Sequence, residues 1–287
     1  MFVTKSVGEH FPEMLTRFVP RTQRELQRRF LVDWRYALKR ASEQEKYHVT
    51  DYNLQVFVIS LERVSERKRE IVHSLEEQGV HWTTHNATDG LENLDMDLVK
   101  KYAGYKKQKH LGVTDSIGHT QLVSLKREFD HSKYISRWMK ISIHERLRFG
   151  CYMSHVLLWQ KIVQIHAPFA VVFEDDAMIG ANFSSRLKER LERLPANWDI
   201  LFLNGCYKKF GYVFDDGLRQ SRGGLCTFAY VISVKGARYL LHHAVLHSNK
   251  PIDHVLDYET LTGRLLSFHA DPPLAHVSSH KASTLAY

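Results

Sequence analysis

Three consecutive carboxylates, Glu174, Asp175 and Asp176, follow directly on the apolar run Phe169-Ala170-Val171-Val172-Phe173. Acids this close repel one another unless a cation neutralises them. Hard divalent ions take oxygen ligands and keep room for substrate phosphates. The economical chemistry is a Mg²⁺ or Mn²⁺ site that holds a nucleotide diphosphate; a solvated acidic turn is the alternative that the acids alone leave open. In an extended chain Glu174 and Asp176 project to one side and Asp175 to the other. That makes Asp176, then Glu174, the expected metal ligands and leaves Asp175 to the bound donor. His276 or His280, after Pro272-Pro273-Leu274-Ala275, is a candidate further ligand, imidazole being a usable partner for Mn²⁺.

Elements that position such a cluster are legible around it. Val56-Phe57-Val58-Ile59-Ser60 is a short, β-branched apolar run and reads as a buried strand. A helix is expected from about Val64, with Ile71 and Leu75 four apart, stopping at Gly79. Val80 to His85 reads as a second strand running into the turn Ala87-Thr88-Asp89-Gly90. Strand, helix and strand at this spacing predict a βαβ unit and a parallel sheet. Ligands bind outside the carboxyl ends of such strands. Ser60, Arg63 and Arg67, just past the first strand, are therefore candidates for the donor, an arginine fork suiting pyrophosphate. Asp89 is placed to accept hydrogen bonds from uridine or ribose, although an aspartate also makes a turn by itself.

Further along, Tyr152, His155, Val156, Trp159 and Val163 share a helix face, and Phe169–Phe173 is the clearest strand. Ser184 or Ser185 is the expected cap of a charged helix ending near Leu194. Strands are expected at 199–203, 227–233 and 265–269, and helices at 235–247 and 251–261. Residues 1–52 read as an appendage. Thr22 and Glu25 make a capping box, and Leu26, Phe30, Leu31, Trp34, Leu38 and Ala41 form an apolar stripe opposite Arg24, Arg28, Arg35 and Lys39. That helix either packs on the domain or touches anionic membrane. The main domain is expected over 53–287, with an insertion at about 105–145.

The composition is ordinary for a globular chain of 287 residues, with 44% hydrophobic and 25% charged residues. The net charge of +8 favours anionic partners. Nucleic acid is not expected, because the basic residues are spread and carry no recognition motif. A two-metal phosphatase would need a second acidic motif. Cys151, Cys206 and Cys226, odd in number with no close pair, read as reduced and packed. No secretory signal or membrane span is read, so a cytoplasmic location, peripheral on the inner membrane face, is expected.

Several blocks in order resemble glycosyltransferase family 25, which holds lipopolysaccharide and lipooligosaccharide glycosyltransferases and collagen β-galactosyltransferases. Residues 56 to 283 carry the likeness: VFVISLERVSER, ATDG, GCYMSHVLLW, FEDD, WDILFLNG, TFAYVISVKGARYLL and PID. Ser60 stands where the family usually has Asn, and Arg148 where Glu is common. The resemblance implies a GT-A fold, here a mostly parallel Rossmann-type sheet flanked by helices. It also implies a UDP-sugar donor, Mn²⁺ dependence and inversion at the anomeric carbon. It implies donor-site roles for Ser154 and His155, which a helix would otherwise simply pack. An inverting transfer needs a base for the acceptor hydroxyl. Asp253 in Pro251-Ile252-Asp253 matches that block and is the expected base, with Asp257 one turn on as the alternative. The expected reaction moves a hexose, galactose first, from a UDP-sugar to a hydroxyl of a glycolipid glycan or of a hydroxylysine-type protein acceptor. A catalytically inactive relative that binds partners is the competing reading.

Overall fold

A computed structural model describes residues 54–90, 143–244 and 250–278. The expected N-terminal helix, the insertion at about 105–145 and His280 lie outside the described residues.

Eight strands form one sheet in the order β2-β1-β3-β8-β5-β9-β7-β6. They are β1 (Val56–Ser60), β2 (Thr83–Asn86), β3 (Phe169–Glu174), β5 (Ile200–Phe202), β6 (Phe210–Asp215), β7 (Leu218–Ser221), β8 (Ala229–Ser233) and β9 (Ser267–Ala270). A small antiparallel pair, β4 (Ala177–Ile179) with β10 (Ala275–Val277), extends from the end of β3. Alternation along each strand feeds two cores. Val56, Val58, Val171, Phe173 and Leu201 face one side, and Phe57, Ile59, Ala170, Val172 and Ile200 the other. The first side is covered by α1 (Arg69–Glu77) and α3 (Phe183–Arg193), through Ile71, Leu75, Phe183, Leu187 and Leu191. The second is covered by α2 (Ile143–Gln164), α4 (Val234–Ala244) and α5 (Ile252–Leu261). The architecture is therefore three-layered, α/β and Rossmann-like. No described helix is long and apolar enough to cross a membrane.

The sheet is mixed, not mostly parallel. β1 pairs in parallel with β2 and β3, and β5 with β9, but β8 runs antiparallel between β3 and β5. A continuous apolar run such as Ala229–Ser233 marks burial on both faces, and that burial arises here in an antiparallel centre. Other boundaries move for local reasons. A 3₁₀ segment, Glu62–Lys68, precedes α1, with Val64 outside helical geometry. Asn182, in the left-handed conformation, is the N-cap of α3, and Ser185 donates to its carbonyl instead of capping the helix. β2 begins at Thr83, later than Val80.

The cysteine expectation is also corrected. Cys206 and Cys226 form a disulfide, their Cα atoms 5.4 Å apart, and Cys151 alone is free. Separation in sequence hid the pair: the β6–β7 hairpin folds the chain back so that Cys206 and Leu225 form a β-bridge.

Candidate functional site

The carboxyl ends of β2, β1 and β3 lie side by side, with Ser60 beside Asn86 and Ile59 beside Glu174. The chain places β2 on one flank of β1 and β3 on the other. This is the switch point at which doubly wound sheets open a crevice. The cleft there is lined by Ser60, Arg67, Thr88, Ser154 and His155 and by all three acids.

The acids reach one cleft because the chain turns. β3 ends at Glu174, and Asp175-Asp176 form a two-residue turn into β4, so the extended-chain alternation does not apply. Arg67, carried past β1 on the 3₁₀ segment, sets its Nη2 3.1 Å from Asp175 and 3.4 Å from Asp176. Glu174 Oε1 instead accepts from Thr227 Oγ1 at 2.5 Å and lies 3.2 Å from His155 Nε2. Burial pushes the Glu174 carboxyl up. The hydrogen bonds of His155 and of the Thr227 hydroxyl, with the charge of Arg67, oppose it, and the group is held below its ordinary value. Asp176 moves the other way: burial, then the charge of Glu174, raise it to about 6 against the pull of Arg67. Its Oδ1 is buried with no hydrogen-bond partner among the described residues. A buried carboxylate oxygen without a partner, in a cleft lined by two further acids, is the kind of group a divalent cation would satisfy.

Cys151, His155 and Glu174 also bring ligand atoms within 4.8 Å of one another. A metal there would need the thiolate. Burial, then the fields of Glu174, Asp253, Asp176 and Asp175, push the Cys151 thiol well up, and both His155 nitrogens already have partners. Among the described residues, Glu174, Asp175 and Asp176 do not themselves bring three ligand atoms that close together; their claim on an ion is the chemistry of oxygen donors towards a hard cation.

Two glycines explain the A-T-D-G and G-C blocks. A Cβ on Gly90 would sit 2.0 Å from the Arg146 carbonyl oxygen, and one on Gly150 would sit 2.6 Å from that of Thr88. The turn and α2 therefore cross at backbone contact. Ser154 pins the crossing: its hydroxyl donates to Gly150 O at 2.8 Å and accepts from Thr88 N at 2.9 Å. Asp89, buried at the end of the turn, is ion-paired with Arg63. Ser60 Oγ is buried and without a hydrogen-bond partner among the described residues.

Asp253 and Asp257 lie on α5 but in different settings. Asp257 accepts from Lys209 Nζ at 2.9 Å and Gly224 N at 2.9 Å, tying the helix to the disulfide-closed hairpin. Asp253 accepts from two backbone groups, Cys226 N at 3.4 Å and its own neighbour His254 N at 2.8 Å, has no cationic partner among the described residues, and its field reaches Cys151 in the cleft wall. His276 stands exposed on β10 opposite Met178 and does not line the cleft. Sequence reasoning missed Thr227, Tyr230 and Trp159, which stand behind Glu174 and read in the chain as ordinary strand and helix residues.

A family model described as glycosyltransferase family 25 (LPS biosynthesis protein) matches residues 53–256. The chain is 28% identical over 209 residues to the probable inactive glycosyltransferase 25 family member 3 of Rattus norvegicus, covering 70% of this chain and 32% of the relative. It is 23% identical over 212 residues to procollagen galactosyltransferase 1 of Danio rerio, covering 70% of this chain and 30% of the relative. The chain thus spans about a third of the length of these curated relatives.

Proposed function

The chain belongs to glycosyltransferase family 25, and on that footing we propose that it transfers a hexose, galactose first, from a UDP-sugar to a hydroxyl acceptor with inversion, on a GT-A-type sheet. The observation that carries the reading is the convergence of Glu174, Asp175 and Asp176 on one cleft at the switch point, with the buried Asp176 oxygen left without a partner. Glu174 and Asp176 would hold Mn²⁺ or Mg²⁺. When bound, the ion neutralises charge on the leaving diphosphate. Arg67, fixed against Asp175 and Asp176, adds positive charge at the same place. The Ser154-pinned turn presents Thr88 and Gly90 as a wall for the nucleoside, while Asp89, paired with Arg63, lies buried outside the cleft lining and holds the turn.

In the displacement, the acceptor oxygen bonds to the anomeric carbon as the bond to UDP breaks. The acceptor proton passes to Asp253, whose carboxylate, unlike that of Asp257, carries no lysine partner among the described residues and acts on Cys151 in the cleft wall. The acceptor is a glycan, glycolipid or protein hydroxyl. The Cys206–Cys226 disulfide favours an oxidising compartment, and with it a protein acceptor, over cytoplasmic work at a membrane face. The inactive reading is favoured by the likeness to the rat protein, a probable inactive family member; the intact acidic triplet favours activity. A donor screen decides: nucleotide release from UDP-sugars with and without Mn²⁺. Release that requires Mn²⁺ supports the enzyme, whereas binding of UDP-sugar with no release under any condition supports the inactive reading.

A further inference from the structure

Behind Glu174 runs a line of buried polar side chains that the transfer itself does not use. Trp159 on α2 and Tyr230 on β8 are both fully buried. Trp159 Nε1–H donates to the Tyr230 hydroxyl oxygen at 3.0 Å, and that hydroxyl lies 2.8 Å from His155 Nδ1. His155, itself buried, turns its Nε2 to Glu174 Oε1 at 3.2 Å. An indole can only donate, so the Tyr230 oxygen is the acceptor towards Trp159 and its own proton must find another acceptor. His155 Nδ1 is the partner in reach. Were Nδ1 protonated, the Tyr230 proton would be buried without an acceptor, at a cost of about 1–3 kcal/mol. Burial also pushes the Tyr230 phenol well above its ordinary value, so it keeps the proton it donates.

We infer that Trp159 and Tyr230 are positioning residues that fix His155 as the Nε2–H tautomer, so that it donates to Glu174. Oε1 of Glu174 then takes two donors, His155 and Thr227, which fixes the carboxylate plane and leaves Oε2 for the cleft. The orientation matters because a carboxylate held through one oxygen by two donors keeps the other oxygen free of them for a ligand. The tautomer stands on the buried hydrogen bonds alone; its consequence for donor binding rests on the glycosyltransferase reading.

The test is nitrogen NMR of histidine side chains in the ¹⁵N-labelled full chain, with His155 assigned by the signals lost in His155→Gln. Wild type is expected to show Nδ1 unprotonated and Nε2 protonated at neutral pH. Tyr230→Phe is expected to give mixed tautomers and to weaken binding of UDP with Mn²⁺ by about 10-fold or more, the usual effect of removing a supporting hydrogen bond behind a ligand. Val231→Ala, a buried neighbour facing the other core, is the control: it lowers stability and changes neither tautomer nor affinity. Nδ1 protonated in wild type overturns the inference, as does a Tyr230→Phe protein that keeps the tautomer and binds within about twofold of wild type. If wild type takes up no UDP with Mn²⁺, the glycosyltransferase reading fails, and the tautomer populations still decide the positioning role. If Tyr230→Phe does not fold, the wild-type tautomer alone decides it.

Discussion

Replacing His269 by Gln should flatten the acid limb of the stability curve. His269 sits on β9, 2% exposed, stacked on Phe202 with ring centroids 5.1 Å apart and meeting the edge of Phe210 at 5.3 Å. Its Nε2 lies 3.0 Å from Ser221 Oγ. Burial, and to a lesser degree Lys208, lower its pKa from 6.5 to about 4, against the raising effects of a backbone hydrogen bond and Asp271. In the unfolded chain the imidazole binds a proton below pH 6.5; in the folded chain it does not until about pH 4. Stability from this residue is therefore complete above about pH 6.5 and is lost as pH falls towards 4. The difference of about 2.5 pKa units, at about 1.36 kcal/mol each, gives an upper value of about 3 kcal/mol. The assay is urea unfolding of both proteins at half-unit steps from pH 7 to 4. The variant should start less stable, having lost packing, and should then lose about 3 kcal/mol less than wild type over that range. Parallel curves would refute the reasoning.

Asp176→Asn removes a buried carboxylate whose pKa is raised to about 6. At pH 7 the ion-free variant should be more stable than wild type by about 1–3 kcal/mol, a gain that disappears below about pH 4, while transfer falls by about 10²-fold; equal stability at pH 7 would count against the raised pKa. Asp253→Asn should keep UDP and Mn²⁺ affinity and lower transfer by about 10²–10⁴-fold. Asp257→Asn, losing the ion pair with Lys209 while its amide oxygen can still accept from Gly224 N, should loosen the hairpin and leave more transfer; the reverse order in a rate assay would move the base to Asp257. Thiol titration in denaturant without reductant should find one reactive thiol, Cys151, and three after reduction. Joining residues 206 and 226 stabilises by about 3 kcal/mol on loop-entropy grounds, a difference that unfolding of the Cys206→Ala/Cys226→Ala protein measures.

What the sequence made legible was the local pattern. Val56–Ser60, Phe169–Phe173 and the helix face of Tyr152, Val156 and Trp159 could be read because burial imposes periods of two and 3.6 on the chain. The acidic triplet stood out because like charges in a row repel one another, which singles out the cleft it lines and not what occupies it. Direction was not legible: β8 and β3 are equally apolar, and nothing in Ala229–Ser233 records that it runs against its neighbours. Nor was the hairpin at 210–221, whose first strand is largely exposed and whose second buries the polar Gln220 and Ser221, and so neither was the disulfide it closes. Ser154 was singled out by resemblance, yet its hydroxyl bridges its own helix at Gly150 to the turn at Thr88, which the crossing of Gly90 and Gly150 explains. Tyr230 carried no signal at all. A tyrosine inside an apolar strand looks like core until the indole and imidazole on either side of its hydroxyl are seen.

The most direct measurement is a crystal structure of the chain grown with Mn²⁺ and UDP, with the ion located by its anomalous scattering. The account predicts the ion against Glu174 and Asp176 in the cleft at the ends of β1 and β3, and the diphosphate between it and Arg67. Nucleotide bound elsewhere, or bound in this cleft with no ion on either carboxylate, would contradict it.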